Sequence, residues 1–174
     1  MSQTFVPPSL NRAGGKSPAA AARELLADHW NGVLPVRPEE LADKVGLTIR
    51  KKSPEFTGED YPYSGHFLRG DGVIEVNIDE GVLRQRFTLA HELGHFALGH
   101  QDSPRDMSAN FSSAQSTPIE RAANQFAAEL LMPAEAVSKV VRSGMFKSID
   151  ELAEAFQVSK VAMTYRVNNL GLLV

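Results

Sequence analysis

Residues 84–98 read RQRFTLAHELGHFAL, and a run of this kind constrains the fold more than any other part of the chain. Phe87, Leu89, Ala90, Leu93, Phe96, Ala97 and Leu98 predict a helix with little surface left for water. Yet His91, Glu92 and His95 sit inside it. Burying a polar group without a partner costs roughly 2–7 kcal/mol, and burying an unpaired charge costs more. The fold must therefore bring partners to this helix from elsewhere in the chain.

The three polar residues form the pattern His91-Glu92-Leu93-Gly94-His95, or HExxH. On a helix, positions i and i+4 lie only ~40° apart around the axis and one turn along it. Two imidazoles so placed can reach one ion at about 2.0–2.1 Å. Glu92, rotated ~100° from His91, flanks such an ion and can hold a water beside it. Zinc lowers the pKa of a bound water from about 15.7 to about 7, and an adjacent carboxylate can then take the proton. Gly94, without a side chain, allows another backbone to approach the helix closely.

A catalytic zinc ion usually has three protein ligands and one open position. The chain has no cysteine, so the third ligand must be His, Asp or Glu. The extended motif HExxHxxGxxH would need glycine at 98 and histidine at 101, where this sequence has Leu98 and Gln101. His100 is five residues past His95, ~140° round a helix, and Gly99 breaks the helix before it. That spacing predicts a surface histidine or one that supports a ligand.

The segment PIERAANQFAAELLMP supplies a better third ligand. With Glu120 at 0° and steps of ~100°, Ala123, Phe126, Ala127, Leu130 and Leu131 fall within ~120° of it on one side or the other. Glu120 therefore belongs to the buried side. Asn124 follows one turn later on that side, while Glu129, at ~180°, is expected to face solvent. Thr117-Pro-Ile-Glu120 also fits a capping box, with Glu120 bonded to the Thr117 backbone. Capping accounts for the helix start. It leaves unexplained why Asn124 lines up with Glu120, which a ligand at Glu120 with Asn124 orienting another ligand would explain.

Elsewhere, residues 1–16 are rich in Pro, Gly, Ser and Asn and predict a flexible arm. The rest, 17–174, is expected to be a single metallopeptidase domain, with the helical tail 134–174 packed on it. Ser17-Pro18 starts a helix running to about Trp30, and a shorter one follows Pro38 and stops near Gly46. Leu47–Lys51 predicts a strand. Gly65–Leu68 and Val73–Ile78 predict a hairpin around RGDG, with Ile74, Val76 and Ile78 on its buried face. An exposed strand of that hairpin could align an extended peptide. Residues 101–118 form a long polar loop joining the two motif helices, a placement that suits a lid or rim gripping a partner through Met107 or Phe111. Strands early and helices late give an α+β fold, with a small antiparallel or mixed sheet, a zincin-like active-site helix and a helical C-terminal part.

HELGHFALGH followed by IERAANQFAAELLMP resembles the ImmA/IrrE family of metallo-endopeptidases. The resemblance extends back through VIEVNIDEGVLRQRF and forward to VSKVAMTYRVNNLGL, covering roughly residues 20–174. It implies His91, His95 and Glu120 as ligands of one Zn2+ and Glu92 as general base. It also implies a protein substrate: a helix-turn-helix transcriptional repressor cleaved at one place, relieving repression under stress or mobile-element induction. Tyr61, Tyr63 and His66, in or just before the hairpin, are the candidates for oxyanion or substrate contacts.

The rival function is DNA binding through IDELAEAFQVSKVAMTYRVNNLG, which has the form of a helix-turn-helix, with any zinc purely structural. Residues 147–174 set Lys147, Lys160 and Arg166 against Asp150, Glu151 and Glu154. Recognition helices normally bring phosphate-binding charge, and the whole chain carries a formal charge of −3. The expectation is therefore no direct nucleic-acid contact, and helices packed on the catalytic core. No signal-peptide pattern and no stretch of ~20 apolar residues predict a cytoplasmic protein without a membrane partner.

Overall fold

The computed structural model describes residues 15–58, 60, 61, 63–100, 106, 107 and 117–172. Of the expected arm, only Gly15 and Lys16 are among them, and Lys16 Nζ meets Glu24 Oε2 at 2.7 Å. Helix α1, Pro18–His29, starts where Ser17 Oγ accepts from the Ala20 N–H. Helix α2, Pro38–Lys44, leads through Gly46 (φ +76°) into strand β1, Thr48–Lys52. A short helix α3, Pro54–Thr57, precedes the hairpin of β2, Tyr63–Leu68, and β3, Val73–Asn77.

The sheet is mixed, in the order β1-β3-β2 with a two-residue strand β4, Asp106–Met107, beyond β2. β1 runs parallel to β3, and β2 is antiparallel to both β3 and β4. Strand β4 lies in the loop expected over 101–118, where a two-residue polar strand leaves no periodic signal in the sequence. It pairs with Tyr63 and Gly65, so part of the hairpin edge expected to receive a peptide already has a strand on it. Phe111, the other expected grip, lies outside the described residues.

Ile78 departs from its expected place. β3 ends at Asn77, and Ile78 falls in the following turn, 38% exposed. Glu75 departs the other way. It is on the sheet face away from Ile74 and Val76 yet is buried, because Arg50 (3.0 Å) and Lys52 (4.0 Å) lie against its carboxylate.

Helix α4, Val82–Ala97, crosses the face of the sheet carrying Phe67, Ile74 and Val76. Helix α5, Pro118–Leu131, packs on α4 and also on α1. The expected close approach occurs at Gly94. A Cβ there would stand 3.0 Å from Phe126 Cδ1 and 3.3 Å from the Ala123 carbonyl oxygen. The tail forms α6, Ala134–Ser143, α7, Ile149–Phe156, and α8, Lys160–Asn169. Leu152, Phe156, Met163 and Val167 join the same buried cluster as Leu93 and Phe126. Arg86 on α4 donates to the carbonyls of Val36 and Gln157, tying the tail to the central helix. Among the described residues no helix is long and apolar enough to cross a membrane.

Candidate metal centre

Helices α4 and α5 meet at their polar residues. His91 Nε2 and His95 Nε2 are 3.0 Å apart. The Glu120 carboxylate reaches both, at 3.1 Å from His91 and 3.5 Å from His95. All three residues are buried, and one ligand atom from each lies within 4.8 Å of the others. Two imidazoles and a carboxylate converging in a buried site form a donor set suited to a divalent cation with nitrogen and oxygen ligands. The competing reading of Glu120 is half present: Thr117 Oγ1 accepts from the Glu120 backbone N–H at 3.2 Å. The Thr117 side chain thus starts the helix, while the Glu120 side chain is turned toward the imidazoles.

The groups behind the imidazoles decide which nitrogen faces the cluster. Asn124 Oδ1 lies 2.9 Å from His91 Nδ1. A carbonyl oxygen only accepts, so Nδ1 carries the proton and Nε2 keeps its lone pair for an ion. Asn124 thus meets the His91 nitrogen that faces away from Glu120 and His95. His100 stands behind His95, with 3.0 Å between their Nδ1 atoms. Burial, followed by the neighbouring His95, lowers the His100 pKa from the ordinary histidine value.

Glu92 is 4% exposed. Its Cγ would be 3.4 Å from a Cβ on Gly65, so β2 lies directly over this side chain. Of the three candidates for oxyanion or substrate contact, His66 is not brought to Glu92. It pairs in register with Glu75, one residue from Gly65, and alternation places it on the opposite face of the sheet. Tyr61 and Tyr63 stack edge to face, 5.5 Å between centroids, both half-buried at the start of β2.

Glu129 corrects an expectation. It is 3% exposed rather than solvated, with Arg166 on one carboxylate oxygen and Arg23 on the other at 3.5 Å. The wheel treated α5 as having one covered side, but α1 and the tail cover the other.

Beyond the site, an apolar groove of about 630 Å³ is lined by Leu83, Phe87, Val161 and Tyr165 and also by Asn124. Phe87 also lies against His91, 6.3 Å between ring centroids.

Several known proteins are similar to this chain over part of their length. The chain is 27% identical over 96 residues to the metallopeptidase ImmA of Bacillus subtilis, covering 55% of this chain and 56% of that protein. It is 37% identical over 97 residues to the radiation response metalloprotease IrrE of Deinococcus deserti, covering 53% and 34%. A solved Mycobacterium tuberculosis transcriptional regulator has the same fold, with a TM-score of 0.58 at 14% identity, over 87% of this chain and 46% of that one. The matched regions thus span about half or less of each relative's length. A family model, the IrrE N-terminal-like domain, matches residues 42–168, a stretch that includes the sheet, α4, α5 and most of the tail. With the buried His91–His95–Glu120 cluster inside that stretch, the chain belongs to the Peptidase_M78 family of metallopeptidases.

Proposed function

We propose that residues 17–174 act as one zinc-dependent metallo-endopeptidase in the cytoplasm. His91, His95 and Glu120 would hold the ion, and Glu92 would be the general base. The observation that carries this reading is the convergence of three ligand atoms within 4.8 Å, with a second buried carboxylate, Glu92, next to His91 in the chain. A site that merely holds zinc for structure uses four closed ligands and needs no base.

A bound zinc ion supplies Lewis acidity that polarises the scissile carbonyl and acidifies water. The remaining work belongs to the chain. Glu92 takes a proton from the attacking water and passes it to the departing amine. Asn124 holds His91 in the tautomer that leaves Nε2 bare. Tyr61 and Tyr63 remain the candidates for stabilising the developing oxyanion, since His66 points from the other face of the sheet.

The substrate on this reading is a protein, and the resemblance to the ImmA/IrrE family favours a helix-turn-helix repressor cut at one place. Direct DNA binding by the tail is disfavoured by its charge. Of the three basic side chains in residues 147–174, Lys160 meets Asp150 at 2.7 Å and Arg166 is engaged by the buried Glu129.

Elemental analysis of protein purified without chelator should find one zinc per chain, and Glu120→Gln should lose most of it while remaining folded. Full zinc affinity in Glu120→Gln would return Glu120 to a helix-capping role. Where a helix-turn-helix regulator is encoded beside this gene, incubating its product with the protein, followed by mass spectrometry, should give two fragments. An intact regulator in the presence of zinc would remove that protein as the substrate.

A further inference from the structure

We propose that His100 is a positioning residue that fixes the tautomer and ring orientation of His95, as Asn124 does for His91. The inference rests on the zinc reading above. It also chooses between the two places that the helical spacing offered this histidine, the surface or the support of a ligand.

The end of α4 delivers His100 to this place. Leu98 caps the helix, and Gly99 turns the chain with φ +70°, a conformation that a residue with a Cβ adopts only under strain. The Gly99 N–H donates to the Phe96 carbonyl at 3.1 Å, and the His100 N–H to the His95 carbonyl at 3.0 Å. This pair of bonds reverses the chain against the last helical turn. Arg69 Nη1 then donates to the His100 carbonyl at 2.6 Å, pinning the reversed segment to the end of β2. The His100 ring is left edge-on to His95, 5.0 Å between centroids.

The proton count gives the contact its direction. His95 turns Nε2 toward His91 and Glu120, so its ion-binding form has a bare Nε2 and its single N–H on Nδ1. That N–H donates to His100 Nδ1, which must be bare, so His100 carries its own proton on Nε2. Because His100 meets the nitrogen of His95 that faces away from the cluster, it stands behind the ligand and is not itself a ligand. Partners of this kind commonly change metal affinity by about 10–100-fold when removed.

Zinc affinity, measured by competition with a chromogenic chelator, tests the proposal. His100→Ala should bind zinc about 10–100-fold more weakly than wild type. His100→Asn, whose Oδ1 can accept where Nδ1 did, should recover most of that loss. A purely structural role would lower the thermal midpoint of the metal-free protein in both variants and leave zinc affinity unchanged. Wild-type affinity in His100→Ala, or equal weakness in Ala and Asn, overturns the proposal. The wild-type protein gives a check independent of mutant folding. Long-range 15N–1H spectra of the zinc-loaded form should show His100 protonated on Nε2 and His95 on Nδ1, and a proton on His100 Nδ1 would overturn it. A wild-type chain that binds no zinc would instead remove the metal centre on which the inference rests.

Discussion

Helix α5 buries two glutamates and surrounds them differently. Glu129, near its C-terminal end, is paired with Arg166 and Arg23, and its Oε1 also accepts from the Ala134 N–H. Glu120, at its start, faces two imidazoles. A guanidinium is always charged, so the Glu129 cluster is balanced by permanent cations within the chain. Imidazoles that keep a lone pair toward the same point offer ligand atoms instead of a permanent counter-charge. A buried carboxylate balanced by arginine belongs to the scaffold. One that converges with histidine nitrogens could instead hold an ion supplied from outside.

That contrast predicts a division between activity and stability. The largest effect should come from Glu92→Gln, which removes the proposed base without removing a ligand. Cleavage of the protein substrate should fall by about 10²–10⁴-fold, with zinc content and thermal midpoint close to wild type. Cleavage at the wild-type rate would show that Glu92, on α4 beside the metal cluster, is not the base.

At the scaffold end the pattern should reverse. Glu129→Ala leaves the largely buried Arg166 without its carboxylate, and breaking a buried pair on one side commonly costs about 3–5 kcal/mol. Chemical denaturation should register a loss of that order. Protein still folded at low temperature should keep its zinc and its cleavage rate per folded molecule. If Glu129→Ala instead lost zinc while keeping its stability, the distinction between the two glutamates would collapse.

The two clusters were also unequally legible in the sequence. HExxH, Glu120 and Asn124 share local helical spacings, so a wheel finds them without knowing the fold. The Glu129 partners lie on α1 and α8, and nothing in the spacing of α5 announces them. Applied alone, the wheel placed Glu129 in water, because it could not see a second covering layer. His100 was half legible. The spacing offered the surface or a place supporting a ligand, and the reversal at Gly99, whose geometry the spacing does not specify, sets it against His95. β4 had no signal of its own, since two residues are too few to show a period. The hairpin, by contrast, was readable from RGDG and the alternation on either side of it.

A middle-sized effect should follow where the sheet meets the metal helix. A Cβ on Gly65 would fall 2.4 Å from Thr88 Cγ2 and 3.0 Å from the Glu75 carbonyl oxygen. Thr88 is β-branched and sits on a helix, so its side chain has little freedom to turn away. Gly65→Ala should therefore cost about 1–3 kcal/mol through overpacking. Because Glu92 lies beside the same spot, cleavage should fall as well, combining the two signatures that the glutamates keep apart. Adding Thr88→Ser removes the clashing methyl and should restore part of the stability. No restoration in the double variant would place the strain at the Glu75 backbone instead.

The smallest effect tests whether ion pairs in the tail differ by burial or merely by position. Lys160 and Asp150 join α8 to α7 at 2.7 Å, but both side chains are about two-thirds exposed. Arg166, also on α8, reaches a Glu129 that is almost fully covered. Water screens the first pair and not the second, and holding two long exposed side chains together costs conformational entropy. A double-mutant cycle on Lys160 and Asp150 should therefore give a coupling of about 0.2–1 kcal/mol. That coupling should fade as salt shortens the screening length to a few ångströms near 1 M. The coupling between Arg166 and Glu129 should be several times larger and nearly insensitive to salt. Equal couplings would mean that the tail is held by surface charge, and the scaffold role assigned to buried Glu129 would have to be shared with Asp150.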